Sequence, residues 1–135
     1  MADSYQCTLV TPERQLLDEQ VVYASVPAWD GLVGVAPQRA PLAIKLGDGP
    51  MRLDLPNGDS RWFFVGGGFA QMKDNKLSVL ADEAVPADRI DTDEAQASLK
   101  EAEARVAIAD DEVAQRRRQI NRAKHLLALA VRAED

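Results

Sequence analysis

Glycine and proline are confined to one part of the chain, and this asymmetry limits the possible folds more than any other feature of the sequence. All eight glycines and all seven prolines lie between Pro12 and Pro86, whereas residues 87–135 contain neither. Both residue types are common in turns between short strands and are costly inside helices. The sequence therefore predicts an α+β protein with two domains, a β domain in residues 1–87 and a helical domain in residues 88–135.

Short apolar and polar alternations, separated by turn sequences, characterise the first domain. Tyr5–Thr11 alternates in this way, which is typical of a strand with one buried face. A second strand is predicted at Val21–Val26, followed by a loop that extends to Pro41. Two hairpins are predicted, one turning at Pro56–Asp59 and the other at Lys73–Asn75. Many short strands joined by such turns predict an antiparallel β-sandwich or flattened barrel.

Helical periodicity begins after Asp91. Asp91, with Glu94 three residues later, predicts a capped helix start, and Asp110 with Asp111 predicts the start of a second helix. The first helical stripe follows spacings of four and three and consists of Ala95, Leu99, Ala102, Val106, Ala109 and Val113. The predicted apolar face of the second helix consists of Ile120, Ala123, Leu127 and Ala130, with Leu126 and Leu129 beside it. Two such stripes predict a C-terminal antiparallel α-helical hairpin.

Charge and composition exclude several classes of protein. The chain carries 16 Lys and Arg against 22 Asp and Glu, a net charge of −6, which argues against duplex nucleic acid as a partner. One cysteine cannot form an internal disulfide and has no second thiol for a zinc site. No apolar run approaches the ~20 residues of a membrane-spanning helix, and no signal peptide precedes the first strand. The protein is therefore expected to remain in the compartment where it is made.

No residue pattern indicates a catalytic or metal site. His125 is expected to be a solvent-facing or packing residue of the second helix, and Cys7 an apolar core residue. Gly66–Gly68 lacks the Lys and the Ser or Thr that follow a phosphate loop, and therefore indicates a bulge or a close backbone approach. The acidic runs fit no calcium loop. An enzymatic function is accordingly the least favoured of three hypotheses.

A cluster of basic residues stands out in the second helix of this acidic protein. The cluster consists of Arg116, Arg117, Arg118 and Arg122. These arginines could form ion pairs with the acidic residues of the hairpin, or they could bind an acidic surface on a partner protein. Charge alone leaves both explanations open.

Five segments then occur in a recognisable order before the helical hairpin. They are Leu9–Arg14, Val26–Val35, Arg39–Leu42, Gly67–Ala70 and Leu77–Asp82. Together with the hairpin, they make the whole chain resemble the epsilon subunit of bacterial F-type ATP synthases.

This resemblance implies a rotor subunit of the proton-translocating synthase, which is not itself catalytic. The sandwich would bind the γ subunit and the c-ring. The helix pair would lie against the sandwich or extend along γ, where its arginines would meet the catalytic α/β subunits and inhibit ATP hydrolysis. The implied rotor contacts are Trp29, Asp30, Gly31, Arg39 and Pro41, with Asp30 and Gly31 facing the c-ring and Arg39 facing γ. A plain turn at Asp30 and Gly31 is the alternative.

Family members that bind ATP share a motif at the start of the first helix. Ile90, Asp91 and Ala95 match that motif, whereas Glu94 stands in place of an arginine and Leu126 replaces a second one. Since both changes remove cations that could hold phosphate oxygens, we expect ATP to bind weakly or not at all, and we expect no cofactor.

The resemblance also implies a peripheral protein on the cytoplasmic face of the bacterial inner membrane. The rival hypothesis is a free-standing sandwich, acting as an adaptor or small-ligand module, whose helical hairpin mediates self-association. That hypothesis predicts a stable homodimer.

Overall fold

The computed structural model describes residues 4–134, and the chain divides into two compact units, one ending at Val85 and the other beginning at Pro86. The strands are β1 (Tyr5–Val10), β2 (Gln15–Val21), β3 (Tyr23–Ala28), β4 (Gly31–Val35), β5 (Leu42–Lys45), β6 (Asp48–Asp54), β7 (Ser60–Lys73) and β8 (Lys76–Pro86). A short 3₁₀ turn, Ala87–Arg89, precedes the helices α1 (Thr92–Ala104) and α2 (Asp110–Glu134). The predicted α+β class, a β-sandwich followed by two helices, is confirmed.

The eight strands form one continuous sheet in the order β2-β1-β8-β7-β6-β3-β4, with β5 paired to β7. The pairs β1–β2, β3–β4, β3–β6, β5–β7 and β6–β7 are antiparallel, but β1 and β8 are parallel. The expectation of a purely antiparallel sandwich was therefore wrong for this pair. The alternation of apolar and polar residues shows which face of a strand is buried. It does not show whether a strand distant in sequence will pair with it in a parallel or an antiparallel direction.

The inward faces of these strands form one hydrophobic core. Tyr5, Cys7 and Leu9 are buried on β1, as their alternation predicts. Tyr5 also donates a hydrogen bond to the Val35 carbonyl at 2.6 Å, which ties β1 to β4 through the core. Burial raises the pKa of the Tyr5 hydroxyl above its usual range, because the phenolate would lose its hydration.

Three strands were missed in the sequence. Gln15–Val21 contains only scattered apolar residues and nevertheless forms β2, the predicted loop up to Pro41 contains β4, and Leu42–Lys45 forms β5. β2 and β4 lie at the two ends of the sheet order, and β5 pairs only with β7. Because an edge strand has a partner on one side only and remains largely exposed, its alternation is weak. The hairpin turns at Pro56–Asp59 and Lys73–Asn75 are confirmed.

Strand β7 changes partners at its glycines. Residues 60–66 pair with β6, and residues 69–72 pair with β5. Between them, Gly67 and Gly68 have φ values of 71° and 108°, which favour glycine. A Cβ at Gly68 would collide with the Leu80 carbonyl oxygen. The predicted close backbone approach is therefore observed, and it lies where the strand passes from one partner to the next.

The helices start where the sequence predicts. The Asp91 carboxylate accepts the Glu94 N–H at 3.0 Å, and α2 begins at Asp110. The first apolar stripe is shorter than predicted, because α1 ends at Ala104 and leaves Val106 in the connector, 78% exposed. A helical hairpin needs a non-helical segment to reverse the chain, so a continuous stripe cannot all lie on one helix. The buried side chains of the hairpin are Ala95, Ala102, Ala123, Leu126, Leu129 and Ala130.

Candidate functional site

A two-residue turn at Trp29 and Asp30 joins β3 to β4. Ala28 pairs with Gly31 across this turn, and Gly31 has a φ of 138°. Trp29 and Leu32 are 70% and 63% exposed, and Asp30 is exposed between them. The turn therefore presents two large apolar side chains and one carboxylate to solvent.

Backbone hydrogen bonds hold this turn against the segment between β5 and β6. The Trp29 N–H donates to the Lys45 carbonyl at 3.0 Å, and the Gly47 N–H donates to the Pro27 carbonyl at 2.9 Å. Both bonds involve the backbone only, so they position the turn without using the side chains that it exposes.

Arg39 and Pro41, the remaining predicted contact residues, are exposed in the loop after β4. Gln38, which precedes them, has a φ of 63° and donates its N–H to Asn75 Oδ1 at 2.8 Å. Asn75 also donates from Nδ2 to the Ser4 carbonyl at 3.0 Å. The loop is thus attached to the β7–β8 turn, whereas the Trp29 turn is attached to Lys45 and Gly47.

A second apolar surface, which sequence analysis missed, consists of the exposed Phe69 and Leu80 and the half-buried Val10; we call it the apolar row. Val10 is the partner of Leu80 in the β1–β8 pair, and Gly68, next to Phe69, lies against the Leu80 carbonyl. Phe69 and Leu80 are 64% and 58% exposed. The signal in the sequence is Val79–Ala81, where three successive apolar residues interrupt the alternation, so that one of them must point outward.

Cys7 and His125, the two residues weighed as catalytic candidates, belong to different units of the chain. Cys7 is fully buried in the sandwich core, and this burial raises the pKa of its thiol from 9.0 to about 12, with a smaller contribution from the Asp18 charge. The reactive thiolate is therefore disfavoured near neutral pH. His125 is half-buried on α2 in the other unit. Within residues 4–134, no cluster of three or more His, Cys, Asp or Glu side chains could hold a metal ion.

The predicted regulatory residues all lie on α2. Arg116 donates from Nη2 to the Glu103 backbone carbonyl at 3.2 Å, which joins the two helices. Gln119 makes a similar link, donating to the Ser98 carbonyl at 3.3 Å. Arg117 is exposed, as is Arg118, whereas Arg122 is half-buried. Arg116 thus contacts α1 through a carbonyl rather than through one of the carboxylates proposed as its ion-pair partners.

The residues that resemble an ATP site have other roles in this structure. Asp91 caps α1 through the Glu94 N–H, and Leu126 is buried. The exposed side chain of Glu94 adds a negative charge next to Asp93. This end of α1 therefore presents carboxylates where a nucleotide would need cations.

Among the residues that the structure describes, none of the helices has the length and apolar character needed to span a membrane.

Comparisons with known proteins identify the family. The family model described as "ATP synthase, Delta/Epsilon chain, beta-sandwich domain" matches residues 4–87. The ATP synthase epsilon chain of Rhodopirellula baltica is 44% identical over 99 residues, covering 73% of this chain and 77% of the relative. The ATP synthase epsilon chain of Nitratidesulfovibrio vulgaris is 36% identical over 132 residues, covering 98% of both chains.

A solved structure shares the fold. A chain in the cryo-EM structure of Euglena gracilis mitochondrial ATP synthase, containing OSCP, F1 and the c-ring, superposes with a TM-score of 0.83 at 22% identity, covering 95% of this chain and 82% of that chain. Since the family model spans more than half of the sequence and a relative matches nearly its full length, the chain belongs to the ATP synthase epsilon chain family.

Proposed function

We propose that this protein is a central-stalk subunit of the F-type ATP synthase, where its sandwich connects the γ subunit to the c-ring. The observation that carries the proposal is the presence of two exposed apolar surfaces, the Trp29 turn and the apolar row, on one sandwich with a closed core. Exposed apolar surface of this kind marks sites of protein contact. Family membership favours this function over a free-standing adaptor.

The Trp29 turn is assigned to the c-ring. It is a narrow projection with a carboxylate at Asp30 flanked by Trp29 and Leu32, which fits a partner that offers a basic group and an apolar edge. A turn that only connects two strands is not expected to expose two large apolar side chains to water.

The apolar row is assigned to the γ subunit. Val10, Phe69 and Leu80 lie on adjacent strands of the sheet, and Lys45 pairs with Phe69 at one end. A flat apolar strip with a cation at its edge suits a helix with an apolar face and an acidic margin. Arg39, in the loop between β4 and β5, would add a second cation on the γ side.

The arginine cluster of α2 is assigned to inhibition of ATP hydrolysis. Arg117 and Arg118 are exposed on a long helix in an otherwise acidic protein, and therefore suit an acidic surface on the catalytic subunits. The chain itself would supply no catalytic residue and no cofactor. Bound to the rotor, it would be peripheral to the membrane, on the cytoplasmic face in a bacterium.

The test uses the catalytic head of the synthase depleted of this subunit. We would add the full chain, a version ending at Ala87, or a variant with Arg116, Arg117 and Arg118 changed to Gln, and measure co-elution and ATP hydrolysis. We expect all three to bind and only the full unmodified chain to slow hydrolysis. Lys124→Gln, at an exposed position on the same helix, is the control and should inhibit normally.

The outcomes distinguish the rotor role of the sandwich from the inhibitory role of α2. Failure of the full chain to bind the head would overturn the rotor role. Binding without inhibition by the full chain would overturn only the inhibitory role of α2.

A further inference from the structure

Backbone hydrogen bonds connect the two contact surfaces of the sandwich. The Trp29 turn is bonded to Lys45, and Lys45 pairs with Phe69 of the apolar row. The segment after Lys45 is bonded in turn to β7, because the Leu46 N–H donates to the Gly68 carbonyl at 2.9 Å. A continuous backbone path therefore runs from the Trp29 turn to the apolar row.

Gly47 lies where this path meets the Trp29 turn. Its N–H donates to the Pro27 carbonyl, and its carbonyl accepts the Gly67 N–H at 3.2 Å. A Cβ at Gly47 would lie 3.0 Å from the Ala28 carbonyl oxygen and 3.1 Å from the Trp29 Cα. Both neighbours are backbone atoms at the turn, so an added methyl group requires the turn and the Gly47 segment to move apart by a few tenths of an ångström.

The geometry points to Gly47 as a positioning residue that sets the location of the Trp29 turn relative to the apolar row. This inference rests on the proposed function for its consequence, since the two surfaces are assigned there to the c-ring and to γ. A subunit that joins two rotor parts must hold its two contact surfaces at a fixed separation. The absence of a side chain at Gly47 allows the turn to lie directly against the backbone that leads to the row.

The first test needs no partner protein. Hydrogen exchange of the Trp29 amide reports on its bond to the Lys45 carbonyl. In the wild-type chain we expect slow exchange for Trp29 and Gly47 together. In Gly47→Ala we expect the Trp29 amide to exchange about tenfold faster, as for the loss of one hydrogen bond, while core amides of β1 keep their protection.

Gly58→Ala is the matched control. Gly58 has a φ of 94°, so alanine is strained there, yet nothing lies within 4 Å of the added Cβ. This variant loses stability through backbone strain without pressing on the Trp29 turn. After correction for this loss of global stability, the Trp29 amide should exchange at the wild-type rate.

The second test measures the two partner contacts separately. We expect Gly47→Ala to bind isolated γ within about twofold of the wild type, and to bind the γ–c-ring rotor about tenfold more weakly, because only the turn has moved. An equal loss of both affinities would indicate general damage to the sandwich and would overturn the positioning role. Unchanged Trp29 exchange in Gly47→Ala would overturn it without reference to any partner.

Trp29→Ala distinguishes failure of this inference from failure of the proposed function. If Trp29→Ala binds the γ–c-ring rotor as well as the wild type, the turn is not the c-ring contact and that assignment falls. The positioning of the turn by Gly47 is then decided by the exchange data alone.

Discussion

Asn75 offers a sharp test of how the predicted contact loop is held. Its side chain accepts the Gln38 N–H at 2.8 Å and donates to the Ser4 carbonyl at 3.0 Å, while its own φ is 58°. Three substitutions separate these roles. Asn75→Asp keeps the acceptor for Gln38, Asn75→Gly removes both hydrogen bonds but accepts the positive φ, and Asn75→Ala removes both bonds and strains the backbone.

The magnitudes follow from the exposure of each bond. The bond to Gln38 is exposed and should contribute about 0.5 kcal/mol, whereas the partly buried bond to Ser4 should contribute about 1 kcal/mol. We therefore expect the free energy of unfolding to fall by about 1 kcal/mol in the Asp variant and by about 1.5 kcal/mol in the Gly variant. The left-handed backbone adds about 1 to 2 kcal/mol for alanine, giving about 3 kcal/mol in total.

Urea unfolding followed by tryptophan fluorescence measures these differences, and hydrogen exchange of the Gln38 amide shows whether the loop is released. Exchange at Gln38 should be faster in the Gly and Ala variants and nearly unchanged in the Asp variant. Asn57→Ala is the control, because the Asn57 side chain accepts from the Asp59 N–H and donates to the Asp59 carboxylate, both within its own turn. Equal stability of the Gly variant and the wild type, or equal Gln38 exchange in the Asp and Gly variants, would refute the argument.

Three further outcomes are expected. Millimolar ATP should leave the amide resonances of α1 and α2 unchanged, since Glu94 and Leu126 replace cations; a saturable shift would contradict this. Leu126→Ala should destabilise the helical unit by about 2 kcal/mol, measured by a thermal melt followed by circular dichroism. This is the low end for a buried leucine, because several of the buried residues of this unit are alanines. The exposed control Lys124→Ala should have little effect. The unfolded Cys7 thiol ionises above its ordinary pKa of 9.0, while the folded thiol stays protonated up to about 12. The free energy of unfolding should therefore fall as pH rises above 9. The fall should be steeper in the wild type than in Cys7→Ala, by up to about 1.4 kcal/mol per pH unit. Parallel pH profiles would contradict the last prediction.

Local signals account for the features that sequence reasoning predicted correctly. The buried face of β1, the two hairpin turns, and the starts of α1 and α2 at Asp91 and Asp110 each depend on residues within a few positions of one another. The edge strands β2 and β4 were missed because each has a partner on one side only and is largely exposed, which weakens the apolar alternation, although each pairs with its neighbour in the chain. The stripe through Val106 was predicted too long because the turn between the helices carries no glycine or proline to mark it.

The candidate site likewise combines features that the sequence indicated with one that only the folded sheet reveals. The sequence indicated the Trp29 turn and the loop with Arg39, because turn residues and the family resemblance are both visible along the chain. It did not indicate the apolar row, since Val10, Phe69 and Leu80 come from three strands that only the folded sheet brings together.

The sequence by itself determined that this protein has a β part and a helical part, through the placement of its glycines and prolines and the change from alternating to helical periodicity. These are local preferences of the backbone and of side chains near one another in the chain. Tertiary structure alone decided that β1 lies parallel to β8, that an apolar row forms on the outside of the sandwich, and that Gly47 lies against the backbone of the Trp29 turn. Each of these depends on contacts between residues far apart in sequence, whose energies no local pattern encodes.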